Sequence, residues 1–366
     1  MENRLFIDVN VIQSVPPSCI NRDDTGSPKT AMYGGVRRAR VSSQSWKKAV
    51  RDEFRLRFDE KDLAMRTKKI VDMVAERISA LDGSISDEEA MKMATDVLEK
   101  GGIKVKAKSK KKDETTGTPE AQALFFMSLK QANNLAELAI SGSYDKKSVI
   151  EALNRDRGVE IGLFGRMVAD DPSMNSDATC QVAHSISTHK VDNEFDYFTA
   201  VDDKAPEDNA GAGMIGTVEF NSATLYRYAT ISVHGLMDIL GDREATAKAV
   251  SEFVRAFLLT MPTGKQNTFA NRTVPYAVYI AARKDQPVNL VGAFERPVLP
   301  SSDNGGYNKE SASRMMSYEK TVESEFVEAP LASWFIGESE NVTDSPSNLQ
   351  DALDGLSDLL MSEDVI

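Results

Sequence analysis

A dense group of cations lies between Gly34 and Arg51, beside a serine-rich segment that can start a helix. It holds six Lys or Arg side chains together with Ser42, Ser43 and Ser45. Amide groups at a helix start, hydroxyl groups and cations one turn apart are the groups that hold a phosphate backbone. Such contacts position a nucleic-acid strand without reading its sequence. The alternative is a basic helix face exposed only to solvent, and the pattern by itself leaves both interpretations open.

Two shorter segments add candidates of the same kind. Arg166 is a candidate phosphate ligand, and the following Met167 is a candidate wedge against a base, although an isolated Met more often lies in a core. The segment Gly264-Lys265-Gln266-Asn267-Thr268 is polar and cationic, but it lacks the spacing of a phosphate-binding P-loop.

Motifs of the common enzyme classes are missing. The sequence contains no GxSxG or HExxH motif, and no GxGxxG motif follows a predicted strand. The adjacent carboxylates of Asp23 and Asp24 could hold a divalent cation for phosphodiester cleavage, but pairing with nearby arginines is the favoured interpretation. The three histidines and two cysteines lack zinc-ligand spacing, so we expect no metal site, no cofactor and no disulfide framework.

The net charge of −12 argues at first against a nucleic-acid partner, but the charge is unevenly distributed along the 366 residues. Residues 321–366 contain eleven acidic side chains and no Lys or Arg, whereas residues 1–57 contain eleven Lys or Arg against six acids. The local field decides whether a phosphate backbone docks, so nucleic acid stays a candidate partner. Without a run of about 18 apolar residues or a secretory signal, we expect a soluble, cytoplasmic protein.

The elements that must position these residues follow from the spacing of the apolar residues. Residues 4–12 alternate, so they predict a strand whose one buried face carries the odd-numbered residues from Leu5 to Val11. Residues 13–40 hold several Pro and Gly and are expected to be irregular. A helix is predicted from the serines near residue 42 to about residue 58.

Helical periodicity dominates the next part of the chain. In the first helix Trp46, Val50 and Phe54 recur every four residues and are expected to face inward. Further helices are predicted near residues 62–81, 86–100, 120–141 and 145–156. Residues 101–119 interrupt them with a mobile basic loop that carries Lys104, Lys106, Lys108, Lys110, Lys111 and Lys112.

Strands return in the second half of the chain. The acidic residues 191–221 hold two short extended stretches around a Gly-rich tip, which predicts a hairpin or loop. The remaining pattern predicts a strand at 224–233, a helix at 243–260 and strands at 276–282 and 288–293. This order predicts an α+β fold, with a ferredoxin-like sheet and a helical insertion.

The sequence resembles the CasC-type backbone subunits of the type I-E CRISPR surveillance complex, Cascade, in the RAMP superfamily. Short blocks in the family's order carry the resemblance: Pro17–Asp24, Gly34–Ser45, Gly165–Met167, Ala183–Asp192, Asp196–Asp203 and Tyr226–Ala229. They span about residues 4–270, while residues 59–160 and the chain after residue 300 match only in general character.

The resemblance implies a non-catalytic RNA-binding subunit whose copies polymerise head to tail along the spacer of the CRISPR RNA, in antiviral defence. It implies a palm like an RNA-recognition motif (residues 1–58 and 222–366, with an acidic C-terminal part), helical fingers (59–188) and a protruding thumb (189–221). Each thumb is expected to reach over the guide held by the next subunit and to displace a nucleotide. The expected partners are therefore CRISPR RNA, target DNA through the guide, further copies of the chain and other Cascade subunits.

The residues carried over as RNA contacts are Asn21, Arg22, Lys29, Arg38, Arg40, Ser42, Ser43, Gln44, Lys47, Lys48, Arg51, Arg166, Met167, Lys265 and Gln266. Contact with target DNA and simple solvation both stay open for the basic loop. Two other function classes stay open as well. One is a nuclease in which Asp23 or Asp24 cuts RNA paired with the guide, as in related type III complexes, and the other is a generic single-strand-binding protein.

Overall fold

The computed structural model describes residues 4–106, 118–168, 171–200, 214–301, 305–338, 348–363 and 365. The predicted α+β class is confirmed, and the chain divides into two compact units. The sheet unit comprises residues 1–50, 182–230 and 250–366, and the helical unit comprises residues 51–181 and 231–249. Lys108, Lys110, Lys111 and Lys112 of the basic loop, and the Gly-rich tip before Met214, lie outside the described residues.

The strands among the described residues are β1 (Phe6–Ser18), β2 (Thr30–Tyr33), β3 (Val36–Val41), β4 (Ala64–Thr67), β5 (Val105–Lys106), β6 (Glu120–Ala121), β7 (Phe125–Ser128), β8 (Cys180–Val182), β9 (Ser185–Ser187), β10 (Glu194–Ala200), β11 (Met214–Ser232), β12 (Ala277–Arg283) and β13 (Ala332–Ile336).

The helices in the same ranges are α1 (Ser43–Arg57), α2 (Ile70–Leu81), α3 (Asp87–Lys100), α4 (Leu129–Ser141), α5 (Lys146–Asn154), α6 (Gly158–Phe164), α7 (Val233–Leu240), α8 (Arg243–Leu259), α9 (Gln266–Phe269), α10 (Asn308–Glu325) and α11 (Leu349–Met361). No helix within the described residues combines the length and the apolar character needed to span a bilayer.

The largest sheet places seven strands in the order β13-β12-β1-β11-β9-β3-β2. Along β1 and β12 the antiparallel register pairs Phe6 with Arg283 and Ile12 with Ala277. Strand β1 is longer than predicted and continues through two prolines to Ser18. Its far end therefore delivers residues 19–29 to the edge of the sheet unit that carries the start of α1.

Both faces of β1 are buried, so the prediction of a single buried face was wrong. Asp8 and Asn10 are each only 1% exposed. The hydroxyl of Tyr228 donates a hydrogen bond of 2.8 Å to Asp8, and that of Tyr226 donates one of 2.7 Å to Asn10. Polar side chains can occupy the second face because the neighbouring strand β11 satisfies them.

Residues 30–41 form a hairpin, whereas the sequence analysis expected them to be irregular. Strands β2 and β3 pair from Thr30–Ala39 to Tyr33–Val36, which leaves Gly34 and Gly35 as a two-residue turn. Their φ angles of 57° and 77° lie in the left-handed region that such a turn requires. The paired glycines were the signal for this hairpin.

The strand predicted at 288–293 is a 3-10 helix over Leu290–Phe294. The Asn289 side chain accepts a hydrogen bond of 3.0 Å from the Val291 amide and so starts the turn. Leu290 and Phe294 are both buried and are four residues apart, a spacing that a helical turn satisfies. The prediction at this position was wrong.

The helical unit has its own apolar core beneath α2, α3, α4 and α5. Their predicted segments are confirmed in type, and side-chain caps at Ser86, Ser128 and Asp145 mark the first residues of α3, α4 and α5. Residues 63–69 and 120–128 are not helical as predicted: β4 pairs with β7 from Ala64–Ser128 to Thr67–Phe125, and residues 120–121 form β6.

A second hairpin occupies the segment that the resemblance identifies as the thumb. Strands β10 and β11 pair antiparallel from Glu194–Phe220 to Ala200–Met214, as the two extended stretches predict. The paired positions place Phe195, Tyr197 and Ile215 on one face, and these side chains are 70%, 72% and 71% exposed. The division into palm, fingers and thumb stays a prediction.

Candidate nucleic-acid interface

Asn21 joins the loop after β1 to the start of α1. Its side-chain amide donates a hydrogen bond of 3.0 Å to the Ser45 hydroxyl, and its carbonyl oxygen accepts one of 2.9 Å from the Ser42 amide. The hydroxyls of Ser42 and Ser45 lie 3.2 Å apart. Asn21 and Ser45 are partly exposed and are held in place by these bonds, whereas Ser42 is only 6% exposed and does not present its side chain as the RNA contact that was predicted.

The carboxylate of Asp23 closes its own loop. One oxygen accepts hydrogen bonds from the Thr25 hydroxyl at 2.7 Å and from the Thr25 and Ser27 amides, each at 3.0 Å. These bonds, the Thr25 hydroxyl above all, lower the pKa of Asp23. Asp24 is exposed beside it. The aspartate is thus held as an anion that shapes the loop carrying Arg22.

The structure brings Lys265 to the same loop, although the two segments are far apart in the sequence. A Cβ atom on Gly264 would lie 2.3 Å from the carbonyl oxygen of Ile20, so only glycine permits this approach. The positive charges of Lys265 and Arg22 both act on Cys19, where they oppose the rise in its pKa that burial causes. Residues 20–26 and Gly264 together line a groove of about 500 Å³.

Helix α1 is anchored by its apolar face, as predicted. Trp46 and Val50 are 1% exposed and Phe54 is fully buried. The Trp46 indole donates a hydrogen bond of 2.9 Å to the Ser185 hydroxyl, and the Arg227 guanidinium lies 3.8 Å from its ring centroid. With that face buried, Gln44 and Lys48 are exposed, and Ser43 and Lys47 are partly exposed.

Arg40 and Lys29 form a second cationic group. The Arg40 amide bonds to the Lys29 carbonyl at 2.9 Å, and its guanidinium lies 3.1 Å from Nδ1 of His184. Burial, followed by the charges of Arg40 and Lys29, lowers the pKa of His184. His184 belongs to one of the sequence blocks above, but sequence reasoning gave it no role.

Arg38 does not face solvent. It is fully buried, and its guanidinium donates to the carbonyl oxygens of Tyr33 (3.2 Å), Ser187 (3.0 Å) and Phe294 (2.8 Å). Arg38 thus fastens the β2–β3 hairpin to Ser187 of β9 and to Phe294. Because its side chain is buried, this placement corrects its assignment as an RNA contact. Alternation along β3 places Arg37 on the opposite face, where it is exposed, whereas Arg40, on the same face as Arg38, is partly exposed.

Arg51 has a partner inside the protein. Its Nε lies 2.5 Å from the carboxylate of Glu160, whose side chain is only 3% exposed and also accepts the Ala64 amide at 2.7 Å. The guanidinium lies 4.7 Å from the ring centroid of Phe126. One donor of Arg51 is thus paired within the helical unit, while its side chain stays 17% exposed, so its assignment as an RNA contact stays a prediction.

Arg166 and Met167 have opposite environments. Arg166 is 4% exposed, and its guanidinium donates to the carbonyl oxygens of Met174 (2.9 Å) and Leu153 (3.0 Å), while burial lowers its pKa to about 10. Met167 is 85% exposed. Arg166 therefore positions the turn that projects Met167, and its assignment as a phosphate ligand is corrected.

The sheet unit thus collects most of the predicted contacts, and the helical unit carries Arg51, Arg166 and Met167. Those that keep an exposed or partly exposed side chain in the sheet unit are Asn21, Arg22, Lys29, Arg40, Ser43, Gln44, Lys47, Lys48, Lys265 and Gln266. Cations drawn from three distant parts of the chain therefore belong to one folded unit, a composition that suits a phosphate backbone.

Comparison with known proteins identifies the family of this chain. The family model of the CT1975-like proteins matches residues 7–360. The chain belongs to the CT1975-like family.

Two solved structures are similar to this CT1975-like protein. One is a chain of a CRISPR RNA-guided surveillance complex, pre-nicking, which is 32% identical and has a TM-score of 0.80; the match covers 97% of this protein and 100% of that chain. Another, from a CRISPR RNA-guided surveillance complex, is 28% identical, covers 96% and 98% of the two chains and has a TM-score of 0.62. No match was found among curated proteins.

His189, in the same block as His184, has a structural place in this CT1975-like protein. Its ring stacks on Tyr307 at 3.7 Å between centroids, Nε2 accepts the Thr224 amide at 3.0 Å, and Nδ1 lies 2.8 Å from the Lys190 carbonyl oxygen. His189 therefore connects the end of β9 to β11 and to Tyr307, the residue before α10. The block thus carries one buried and one exposed histidine, which the alternation of a strand could have suggested.

Proposed function

We propose that this CT1975-like protein is a CRISPR-RNA-binding backbone subunit of a Cascade-type surveillance complex, of the type I-E CasC kind. The observation that carries the proposal is that the loop of Arg22 is bonded through Asn21 to the start of α1, which carries Lys47, and is closely approached by the segment of Lys265, all within the sheet unit. Cations and hydroxyls from three segments match a ribose-phosphate strand. The two solved surveillance-complex chains, which match almost end to end, support the same role.

The chemistry favours recognition without sequence preference. Residues 19–29, 42–51 and 264–266 contain a single aromatic side chain, Trp46, and it is buried. Stacking on an aromatic platform is therefore not the binding mode of these segments. A guide must be held whatever its sequence, so contacts to phosphates and 2′-hydroxyls suffice and the bases stay available to pair with target DNA.

Head-to-tail assembly is part of the proposal. The β10–β11 hairpin presents Phe195, Tyr197 and Ile215 as exposed side chains on one face, and grouped exposed side chains of this kind are typical of interaction surfaces. We assign this face to the next copy along the guide, and Met167 to the displaced nucleotide. Contacts between unlike surfaces of identical copies produce an open helical array, whose length the guide sets.

The proposed subunit is not a nuclease. The alternative needs Asp23 or Asp24 to bind a catalytic cation, and the Asp23 oxygen that accepts three hydrogen bonds is already occupied by its own loop. Magnesium-dependent cleavage of RNA paired with the guide, lost in Asp24→Ala, would instead favour the nuclease.

The test is co-expression of the chain with its sister subunits and a CRISPR array, followed by sequencing of the co-purified RNA. We expect short spacer-bearing transcripts. The double variant Arg22→Glu/Lys47→Glu should yield folded protein without them, whereas Lys284→Glu, an exposed charge reversal at the end of β12, should retain them. A wild-type preparation free of such RNA contradicts the proposal, and so does full RNA recovery with the double variant.

A further inference from the structure

Strand pairing places His184 beside the cations of β3. Along β3 and β9, Arg40 pairs with Ile186 and Val41 pairs with Ser185, so His184 directly precedes the paired residues. Its Nδ1 lies 3.1 Å from an Nη of Arg40, and the ring is exposed. This position places His184 next to the partly exposed cations Lys29 and Arg40.

The tautomer of the ring follows from its partner. A guanidinium has only donors, so Nδ1 of His184 accepts the hydrogen bond and the proton of the neutral ring sits on Nε2. The exposed histidine therefore presents an N–H donor next to two positive charges. Such a donor suits a phosphate oxygen or a 2′-hydroxyl.

The charges around His184 are both positive. Burial first, and then the charges of Arg40 on β3 and Lys29 before β2, keep the pKa of His184 below its ordinary value. A bound phosphodiester brings a negative charge into this group and offsets the two cations. The protonated ring is then favoured in the bound state and disfavoured in the free state.

We infer that His184 joins Lys29 and Arg40 as a ribose-phosphate contact and that its ring takes up a proton when RNA binds, so that RNA binding strengthens as the pH falls. The inference rests on the proposed function, because it requires an RNA strand on this surface. A proton bound by the complex but not by the free protein links affinity to pH, with a limit of about tenfold per pH unit for one proton.

The other two histidines provide the controls. His189 has both ring nitrogens engaged within the sheet unit and is only 6% exposed. His234 lies on α7 of the helical unit, whereas Lys29 and Arg40 belong to the sheet unit. The chain contains three histidines in all, so a pH effect near neutrality has few sources.

The experiment measures binding of the full chain to a fluorescent single-stranded RNA at constant ionic strength, between pH 8 and pH 6. The wild type and His234→Gln should bind several-fold more tightly at the lower pH. His184→Gln, which keeps an acceptor for Arg40 but cannot titrate, should bind with the same affinity across the range. Circular dichroism confirms that each variant is folded.

Calorimetry of the wild type supplies a readout that needs no variant. Binding enthalpies in two buffers of different ionisation enthalpy at pH 7 should reveal net proton uptake. Binding without proton uptake, or a pH profile unchanged in His184→Gln, overturns the inference while leaving RNA binding intact. Absence of RNA binding at every pH would instead contradict the proposed function.

Discussion

The guanidinium of Arg227 lies 3.8 Å from the ring centroid of Trp46, inside the sheet unit. Arg227 is 1% exposed, and burial lowers its pKa to about 9. It also donates to the side chain of Gln13 and to the carbonyl oxygen of Phe257. One buried cation on β11 thus fixes the indole that positions the start of α1, and with it the proposed RNA-binding surface.

Replacement of Arg227 by Met should destabilise the whole protein. The substitution keeps much of the apolar stem but leaves buried acceptors on Gln13 and Phe257 without donors, at about 1–3 kcal/mol each. We expect the free energy of unfolding in urea to fall by about 3 kcal/mol. Trp46→Phe, which loses only the indole hydrogen bond and part of the cation–π contact, should lose about 1–2 kcal/mol. Equal effects of the two variants would contradict this ranking.

The Arg51–Glu160 pair should affect stability, whereas Lys47 should affect binding. Arg51→Ala leaves a carboxylate that is 3% exposed without its cation, and we expect a loss of about 3 kcal/mol in the free energy of unfolding. Adding Glu160→Gln should recover part of that loss, because the neutral amide still accepts the Ala64 amide. Lys47→Ala should change stability by less than about 0.5 kcal/mol yet weaken RNA binding. A double-mutant cycle in urea, with RNA titration alongside, checks all three.

The two turn glycines should differ sharply in their tolerance of alanine. A Cβ on Gly34 would lie 1.7 Å from the carbonyl oxygen of Glu295, whereas nothing lies within 4 Å of one on Gly35. Both have positive φ, so each substitution costs about 1–2 kcal/mol of backbone strain. Gly34→Ala adds the displacement of the Glu295 backbone, about 1–3 kcal/mol more. Thermal unfolding of the two variants should therefore show the lower midpoint for Gly34→Ala.

Stability should rise as the pH falls from 7 towards 4, through Asp8. Burial raises the pKa of Asp8 to about 6, while the unfolded chain keeps the value of 3.8. The folded state therefore binds the proton first, and protonation stabilises it by about 2 kcal/mol across this window. Unfolding free energies of the wild type and Asp8→Asn at several pH values test this, since the variant should lack this contribution. A wild-type curve that falls over the same window with no difference from the variant would contradict it.

Local sequence patterns predicted an element well where only one of its faces is buried. The serines near residue 42 and the four-residue spacing of Trp46, Val50 and Phe54 identified α1 and its buried side. The Gly34-Gly35 turn could also have been predicted, because two consecutive glycines suit the left-handed angles of a tight hairpin. It was missed because the prolines earlier in the segment favoured an irregular structure.

Residue type could not predict which arginines are bound within the protein and which reach solvent. Arg38, Arg51 and Arg166 have the same side chain as Arg22 and Arg40, yet each is bound within the protein by carbonyl oxygens or by Glu160. A guanidinium binds a buried carbonyl as readily as a phosphate oxygen, so its partner depends on what the fold places beside it.

By itself the sequence determined the α+β class, the helix that carries Lys47, and the short blocks that point to a CRISPR surveillance complex. Only the tertiary structure decided which cations are presented to solvent, that Lys265 joins the Asn21 loop, and that His184 lies against Arg40. The physical reason is the separation along the chain over which each interaction acts. Periodicity and caps act over a few residues along the chain, whereas burial, hydrogen-bond partners and pKa shifts depend on segments that only the folded sheet brings together.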